Sequence, residues 1–399
     1  MNIDKVNQTD VPASTSGFTR NISRSDTARS WRSLFPSALL GSSAVSEMLS
    51  LIRSRRATLY FTVVTASLAV AVVVGIAIGS TRIASGTVVR VLASHLLPTG
   101  WVDLSGINES ELAVVWLIRT PRVLVAALVG AGLAVAGAQM QGLFQNPLAS
   151  PDIVGTSAGG ALGATFALAT GLAMRSLFYI PIFSFIGALA ALFIVYSIAA
   201  QRSRTQVASL LLAGIALNAM IGAATTFLIT MTSVRFEVAQ EIIFWLLGGL
   251  DSRTWAHVWF ATPFVVIGVV VALIYARDLD LLLMGEEAAC SLGVEVEYVK
   301  RIILTSAALL TGAAVAVSGV VGFVGLIVPH VVRLLIGPAH RQLVPASALT
   351  GAAFMIFADL FARTLHRPEE IRLSIITAAF GAPFFLYLLM RHRREVGYL

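Results

Sequence analysis

From Leu59 onward, almost every residue belongs either to an apolar run long enough to cross a bilayer or to a short connection between two such runs. A hydrocarbon layer about 30 Å thick is crossed by about 20 apolar residues in a helix. No water is available there to bond the backbone, so each crossing must satisfy its own N–H and C=O groups as a helix. Composition agrees: 57% of the 399 residues are hydrophobic and only 12% are charged, whereas a soluble domain carries roughly 25% charged residues. The expected fold is an all-α polytopic membrane protein.

Spans are expected at 58–80, 112–140, 152–172, 177–200, 206–231, 255–276, 301–319, 320–336, 342–362 and 373–391, about ten in all. The eighth holds Pro329, which kinks or breaks a helix. Lys and Arg concentrate on the cytoplasmic side of membrane proteins. Arg53, Arg55 and Arg56 precede the first span, and Arg202, Arg204, Arg277, Lys300, Arg301, Arg333, Arg341, Arg391, Arg393 and Arg394 fall on the same side, which places both termini in the cytoplasm. Arg119, Arg122, Arg363, Arg367 and Arg372 fall on the opposite face. Residues 1–56, polar and without apolar periodicity, read as a disordered cytoplasmic tail. The membrane domain is then 57–392, with 393–399 as a cytoplasmic end. A cleaved signal peptide is not expected, because the first long apolar run starts late and is too long for a signal core.

Several function classes drop out. The net charge of +7 is spread over loops and termini, which suits membrane flanks and not a nucleic-acid face. Lys5 and Lys300 are the only lysines and neither sits in a phosphate-binding loop, so the chain has no ATPase site of its own. His95, His257, His330, His340, His366 and His392 are scattered without ligand spacing, and neither a metal nor a cofactor is expected. Cys290 is the single cysteine and cannot form an internal disulfide.

The stretch 119–163 sets the local plan: the arginine pair of RTPR at 119–122, a small-residue apolar helix, a polar break at Gln145, Asn146 and Pro147, and a second apolar run. GAGLAVAG at 130–137 matches GAAVAVSG at 312–319, and a proline follows each copy at Pro147 and Pro329. The copies lie five spans apart and so cross in opposite directions, as in the inverted repeats of transporters; likeness of Gly/Ala-rich composition is the alternative. Gly155, Gly159 and Gly163 stand at four-residue spacing, which admits a close helix neighbour or room for a bulky solute.

Nine segments, in order from 117 to 390, carry a family likeness: RTPR, the GAGLAVAG-to-NPLASP block, LLLAGIALNAM at 210–220, FWLLGGL at 244–250, MGEEAACSLG at 284–293, GFVGLIVPHVVRLL at 322–335, HRQLVPASALTGA at 340–352, ADLFAR at 358–363 and TAAFGAPFFLYLL at 377–389. In these the chain resembles the FecCD-type permease subunits of ABC importers for iron chelates and cobalamin. The resemblance implies a cobalamin-importer permease-like fold and import of a ferric siderophore, haem or cobalamin by alternating access. Its partners would be a second permease, a separate ATP-binding subunit and an extracytoplasmic substrate-binding protein, in the bacterial cytoplasmic membrane.

The resemblance also assigns roles. Arg119, Arg122 and Arg363 would dock the binding protein, with glutamates at 119 and 122 weakening capture while leaving assembly intact. Pairing of Arg363 with Asp359, one turn earlier, is the competing role. Gly285, Glu286, Glu287, Ala288, Ala289, Leu292 and Gly293 would form the segment that seats in the ATPase, the glycines breaking the backbone and Ala288, Ala289 and Leu292 giving a small apolar face; from the residues alone this is a solvated loop. Val207, Ala208 and Ser209 would form the inner gate. Asn218 faces either the pathway or a neighbouring helix. Glu370-Ile371-Arg372-Leu373-Ser374 departs from the family's Glu-x-Pro-x-Gly, which puts the shape of that outer loop in doubt. An ion-coupled secondary transporter would need a mid-membrane acid, and Asp359 is placed near a helix end, beside an arginine.

Overall fold

The computed structural model describes residues 43–79, 83–98, 100–176, 178–201, 204–366 and 369–396. Of the topology-marking arginines, Arg202 and Arg367 lie outside the described residues, as does the tail up to residue 42. The first helix, α1, is Ser43–Ala77. It begins inside the stretch expected to be disordered to residue 56.

Each of the ten expected spans coincides with a helix: α1, α3 (Glu109–Leu143), α4 (Thr156–Ala169), α5 (Tyr179–Ala199), α6 (Val207–Thr232), α8 (Trp255–Ile274), α11 (Val296–Ser318), α12 (Val324–Ile336), α13 (His340–Thr364) and α14 (Leu373–Val396). Among the described residues, seven of these are long and apolar enough to cross a membrane; α4, α12 and the apolar part of α14 are shorter. Among the described residues four short α-helices lie between them, α2 (Ser85–Leu96), α7 (Phe236–Leu246), α9 (Ala276–Leu282) and α10 (Glu286–Ser291), with 3-10 turns at Pro151–Val154 and Leu172–Met174. A two-residue antiparallel pair, Ala200–Gln201 with Arg204–Thr205, leads into α6. The protein is a multi-pass membrane protein.

Local chemistry explains the breaks. α3 stays continuous through Pro121 because the turn before it widens: the Thr120 N–H and hydroxyl both donate to the Val115 carbonyl, five residues back. A wider turn accommodates a residue that cannot donate. The helix ends where expected, with Gln145 at φ +49° and then Pro147. Between α11 and α12 the chain turns at Gly319 (φ +69°) and Phe323 (φ +70°). The break therefore precedes Pro329, which sits inside α12 without ending it.

α3 and α11 form the centre: 78% of the apolar stretch is buried in each, against 17% in α1 and 28% in α6. Glycines let neighbours reach the α3 backbone. A Cβ on Gly130 would lie 2.0 Å from the Gly351 carbonyl oxygen of α13, and one on Gly137 would lie 1.7 Å from that of Gly325 in α12. The Gly155 series divides: Gly159 and Gly163 bring α4 onto the carbonyls of Gly187 and Phe183 in α5, while Gly155 is the left-handed N-cap of α4. Two of the three serve the close helix contact expected of small residues.

The helices run between two ends. At one, α3 begins near Ala77, Asp359 and Glu370, and Gly249 donates to the Ser318 carbonyl at the close of α11. At the other, α3 finishes beside Leu282, and Lys300 at the start of α11 pairs with Glu286. The two halves of the repeat thus cross in opposite directions. Their registers differ, since Gly137 is mid-helix and Gly319 caps a helix end.

Candidate functional site at the two ends of the bundle

Two of the three arginines expected to face a docking protein, Arg119 and Arg363, are turned inward. A helix leaves its last four carbonyls unbonded, and α1 ends at Ala77, two residues before Gly79. Arg119 donates to the carbonyls of Ile76 (2.8 Å) and Ala77 (2.9 Å), and Arg363 to those of Gly75 (2.5 Å) and Ile78 (3.0 Å). Cations at a helix C-terminus also meet the negative end of its dipole. Gly79 makes room, since a Cβ there would sit 2.6 Å from the Arg119 guanidinium. Arg119 and Arg363 are consequently only 4% and 7% exposed.

Asp359, 1% exposed, lies between the cations. Its carboxylate accepts from Arg122 Nη2 at 2.8 Å and pairs with Arg363 Nε at 3.2 Å, while Arg122 reaches Glu370 at 2.7 Å. The pairing of Arg363 with Asp359, held open on sequence, is therefore present. Of the three arginines Arg122, at 12% side-chain exposure, is the most exposed. Glutamates at 119 and 122, expected to leave assembly intact, would set a buried acid at 119 against carbonyls that now accept from Arg119.

Residues 370–374 have their own ties. Arg372 pairs with Asp251 at 3.3 Å and lies 4.2 Å over the Phe244 ring. Ser374, at the position where the resemblance led to glycine being expected, donates its hydroxyl to the Leu247 carbonyl at 2.6 Å. The segment is fastened to residues 247–251.

At the other end, α9 and α10 form two short helices with Gly285 (φ +103°) between them and Gly293 (φ +88°) after. Neither φ suits a side chain, so the chain must turn at these points. Leu292 is 58% exposed and Met284 67%. Ala289, expected on the outward face, is fully buried in the chain's own core beside Leu279 and Leu282. Glu286 is held by Lys300 at 2.8 Å, and Lys300 also meets Glu297 at 3.1 Å. An open hollow beside α10 is lined by Glu287, Cys290, Ser291, Glu295, Tyr298 and Arg301 among others.

Val207, Ala208 and Ser209 form the first turn of α6, with Ala208 exposed and its two neighbours half-buried. Asn218 is half-buried and its amide donates to the Asp152 carbonyl at 3.1 Å, four residues from Gly214, where a Cβ would lie 2.0 Å from the Ile153 carbonyl oxygen. Sequence reasoning missed the contact between Asp280 and His340, in which Oδ1 accepts from the His340 backbone N–H (2.9 Å) and lies 2.6 Å from Nδ1.

Comparison with known proteins fits this geometry. Residues 48–391 match the FecCD transport family. The chain is 46% identical over 286 residues to the cobalamin import system permease protein BtuC of Halobacterium salinarum, covering 71% of this chain and 75% of that one. It is 41% identical over 285 residues to the hemin transport system permease protein HmuU of Yersinia pestis, covering 70% and 84%. A solved metal-chelate type ABC transporter in an inward-facing conformation superposes with a TM-score of 0.72 at 30% identity, covering 84% of this chain and 99% of that chain. With these matches running through nearly all the helices described above, the chain belongs to the FecCD transport family.

Proposed function

We propose that this chain is the transmembrane permease subunit of an ATP-driven importer that carries a ferric siderophore across the bacterial cytoplasmic membrane by alternating access. The observation that carries the reading is the family match from 48 to 391, which takes in both ends of the bundle. ATP is hydrolysed by a separate subunit seated on Leu292 and Met284 beside α10, with both termini on that side. Val207, Ala208 and Ser209 close the inner gate by contact, their small and mostly apolar surfaces making no specific bond to the solute. The exposed side of α6, with Leu212, Ile215 and Met220, faces a second permease. A binding protein docks at the opposite end, where Arg122 with Glu370 offers the accessible charge; Arg119 and Arg363 shape that surface from beneath by holding α1.

The seating is testable through Leu292→Asp, which places a charge on an exposed apolar contact without touching the core. Loss of a central interface contact of about 2 kcal/mol corresponds to roughly thirtyfold in affinity. Co-purification of the ATP-binding subunit should fall by about that factor while the permease itself is recovered normally. Unchanged co-purification would overturn the assignment. The 46% identity to a cobalamin permease favours a second reading in which the solute is cobalamin. A binding screen of the cognate binding protein against ferric siderophores, haem and cobalamin separates the two.

A further inference from the structure

The two ends of the bundle are joined by one uninterrupted element. α13 has 25 residues, about 37 Å at 1.5 Å per residue. Its last turns hold Asp359 and Arg363, which tie α3 and the end of α1. Its first residue, His340, is tied to the inner helix pair. Asp280 of α9 uses one carboxylate oxygen both to accept the His340 backbone N–H at 2.9 Å and to meet the ring Nδ1 at 2.6 Å. The ring is wholly buried, and its slot exists because residue 142 is glycine: a Cβ there would lie 2.5 Å from Nε2. Leu279 and Leu282 are also fully buried, so α9 is seated on both sides of Asp280.

α10 itself is held differently. Ala289 sits in the core, and the Glu286 pair with Lys300 leads into α11. Gly285 separates α10 from α9, with nothing within 4 Å of where its Cβ would be. A push on α10 therefore reaches α13 through α9, and the directional bond at that junction is the one between Asp280 and His340. The other bond from α9, Gln145 Nε2 to the Leu282 carbonyl at 2.6 Å, leads to α3 and not to α13.

We propose that the contact between Asp280 and His340 is the latch through which movement of α9 and α10 is delivered along α13 to the opposite end of the bundle. Both are positioning residues: neither touches ATP nor needs to touch the solute. The inference rests on the permease reading given above.

The test uses the full importer, permease with its ATP-binding subunit and binding protein, reconstituted in vesicles, and reads solute accumulated per ATP hydrolysed. Asp280→Asn keeps an acceptor for the backbone N–H and removes the charge facing the ring; His340→Gln keeps volume and removes the ring. Each is expected to leave assembly and the rate of ATP hydrolysis within about twofold and to lower solute per ATP by about tenfold, equivalent to one factor of ten in the coupling equilibrium. The double variant should be no worse than either single one, because residues in direct contact are not additive. Asp280→Glu should restore part of the ratio. A purely structural role would lower assembly and hydrolysis together and leave the ratio unchanged. An unchanged ratio in both single variants, with assembly intact, would overturn the latch. Leu292→Asp keeps the two ideas apart: if it fails to release the ATP-binding subunit, the permease reading of α10 falls, whereas if it succeeds and the ratio in the Asp280 variant stays normal, only the latch falls.

Discussion

Replacing Gly137 with valine is expected to abolish recovery of folded protein. The new Cβ would be placed 1.7 Å from the Gly325 carbonyl oxygen, 2.4 Å from its carbonyl carbon and 2.7 Å from its Cα. All three are main-chain atoms of α12, so no side-chain rotation can make space. Overfilling a core against flexible side chains costs about 1–3 kcal/mol. Here a whole helix must move, and the cost becomes comparable with a total stability of about 5–15 kcal/mol. Gly222 lies in a helix of the same chain with nothing within 4 Å of its Cβ position, so Gly222→Val serves as the control. Size-exclusion profiles in detergent should show a single folded peak for the control and aggregate for Gly137→Val. A native profile for Gly137→Val would mean that α3 and α12 are not in backbone contact.

Asp359→Ala is expected to produce the second largest loss. Asp359 separates the guanidinium groups of Arg122 and Arg363, and Arg119 lies against the same end of α1. Without it, Arg122 keeps its pair with Glu370, which is 38% exposed on its side chain, and the buried pairing of Arg363 at 3.2 Å is lost. Removing one member of a buried ion pair costs about 3–5 kcal/mol, because the remaining charge is left uncompensated. Thermal unfolding in detergent should show a large drop in midpoint for Asp359→Ala and a smaller one for Glu370→Ala. The double replacement of Arg119 and Arg122 by glutamate should share the large drop, since it also removes the side-chain donor to the Ile76 and Ala77 carbonyls and sets a buried acid against them. Midpoints within a degree of the parent for Asp359→Ala would show that the network adds nothing to stability.

The ten helices that match expected spans were legible because each lies in an apolar run, seven of them, among the described residues, long enough to cross a membrane, and the polar break after α3 was legible because Gln145, Asn146 and Pro147 interrupt one. α2 and α7 were not read. They are short and lie between long apolar runs: α2 buries only Val88 and Val91, and α7 only Ile242. The arginine cluster shows the other kind of failure. Charge placed Arg119, Arg122 and Arg363 at one end of the bundle, and the structure keeps them together there. Nothing local, however, distinguished an arginine that faces outward from one that satisfies a helix terminus, because that depends on where α1 ends. Asn218 became readable only once the turn carrying Asp152 was positioned beside α6. Asp280 and His340 are 60 residues apart, and no periodicity within either helix announces their meeting.

Backbone-to-backbone packing at Gly130 with Gly351 and at Gly137 with Gly325 has a mechanical corollary. Where two main chains meet with no side chains interposed, there are no rotamers to absorb a small displacement, so α3, α12 and α13 are geared together as one hub. Any rocking that opens or shuts a passage must be taken up outside the hub, by helices that this chain buries less, such as α6, while the hub turns as a unit.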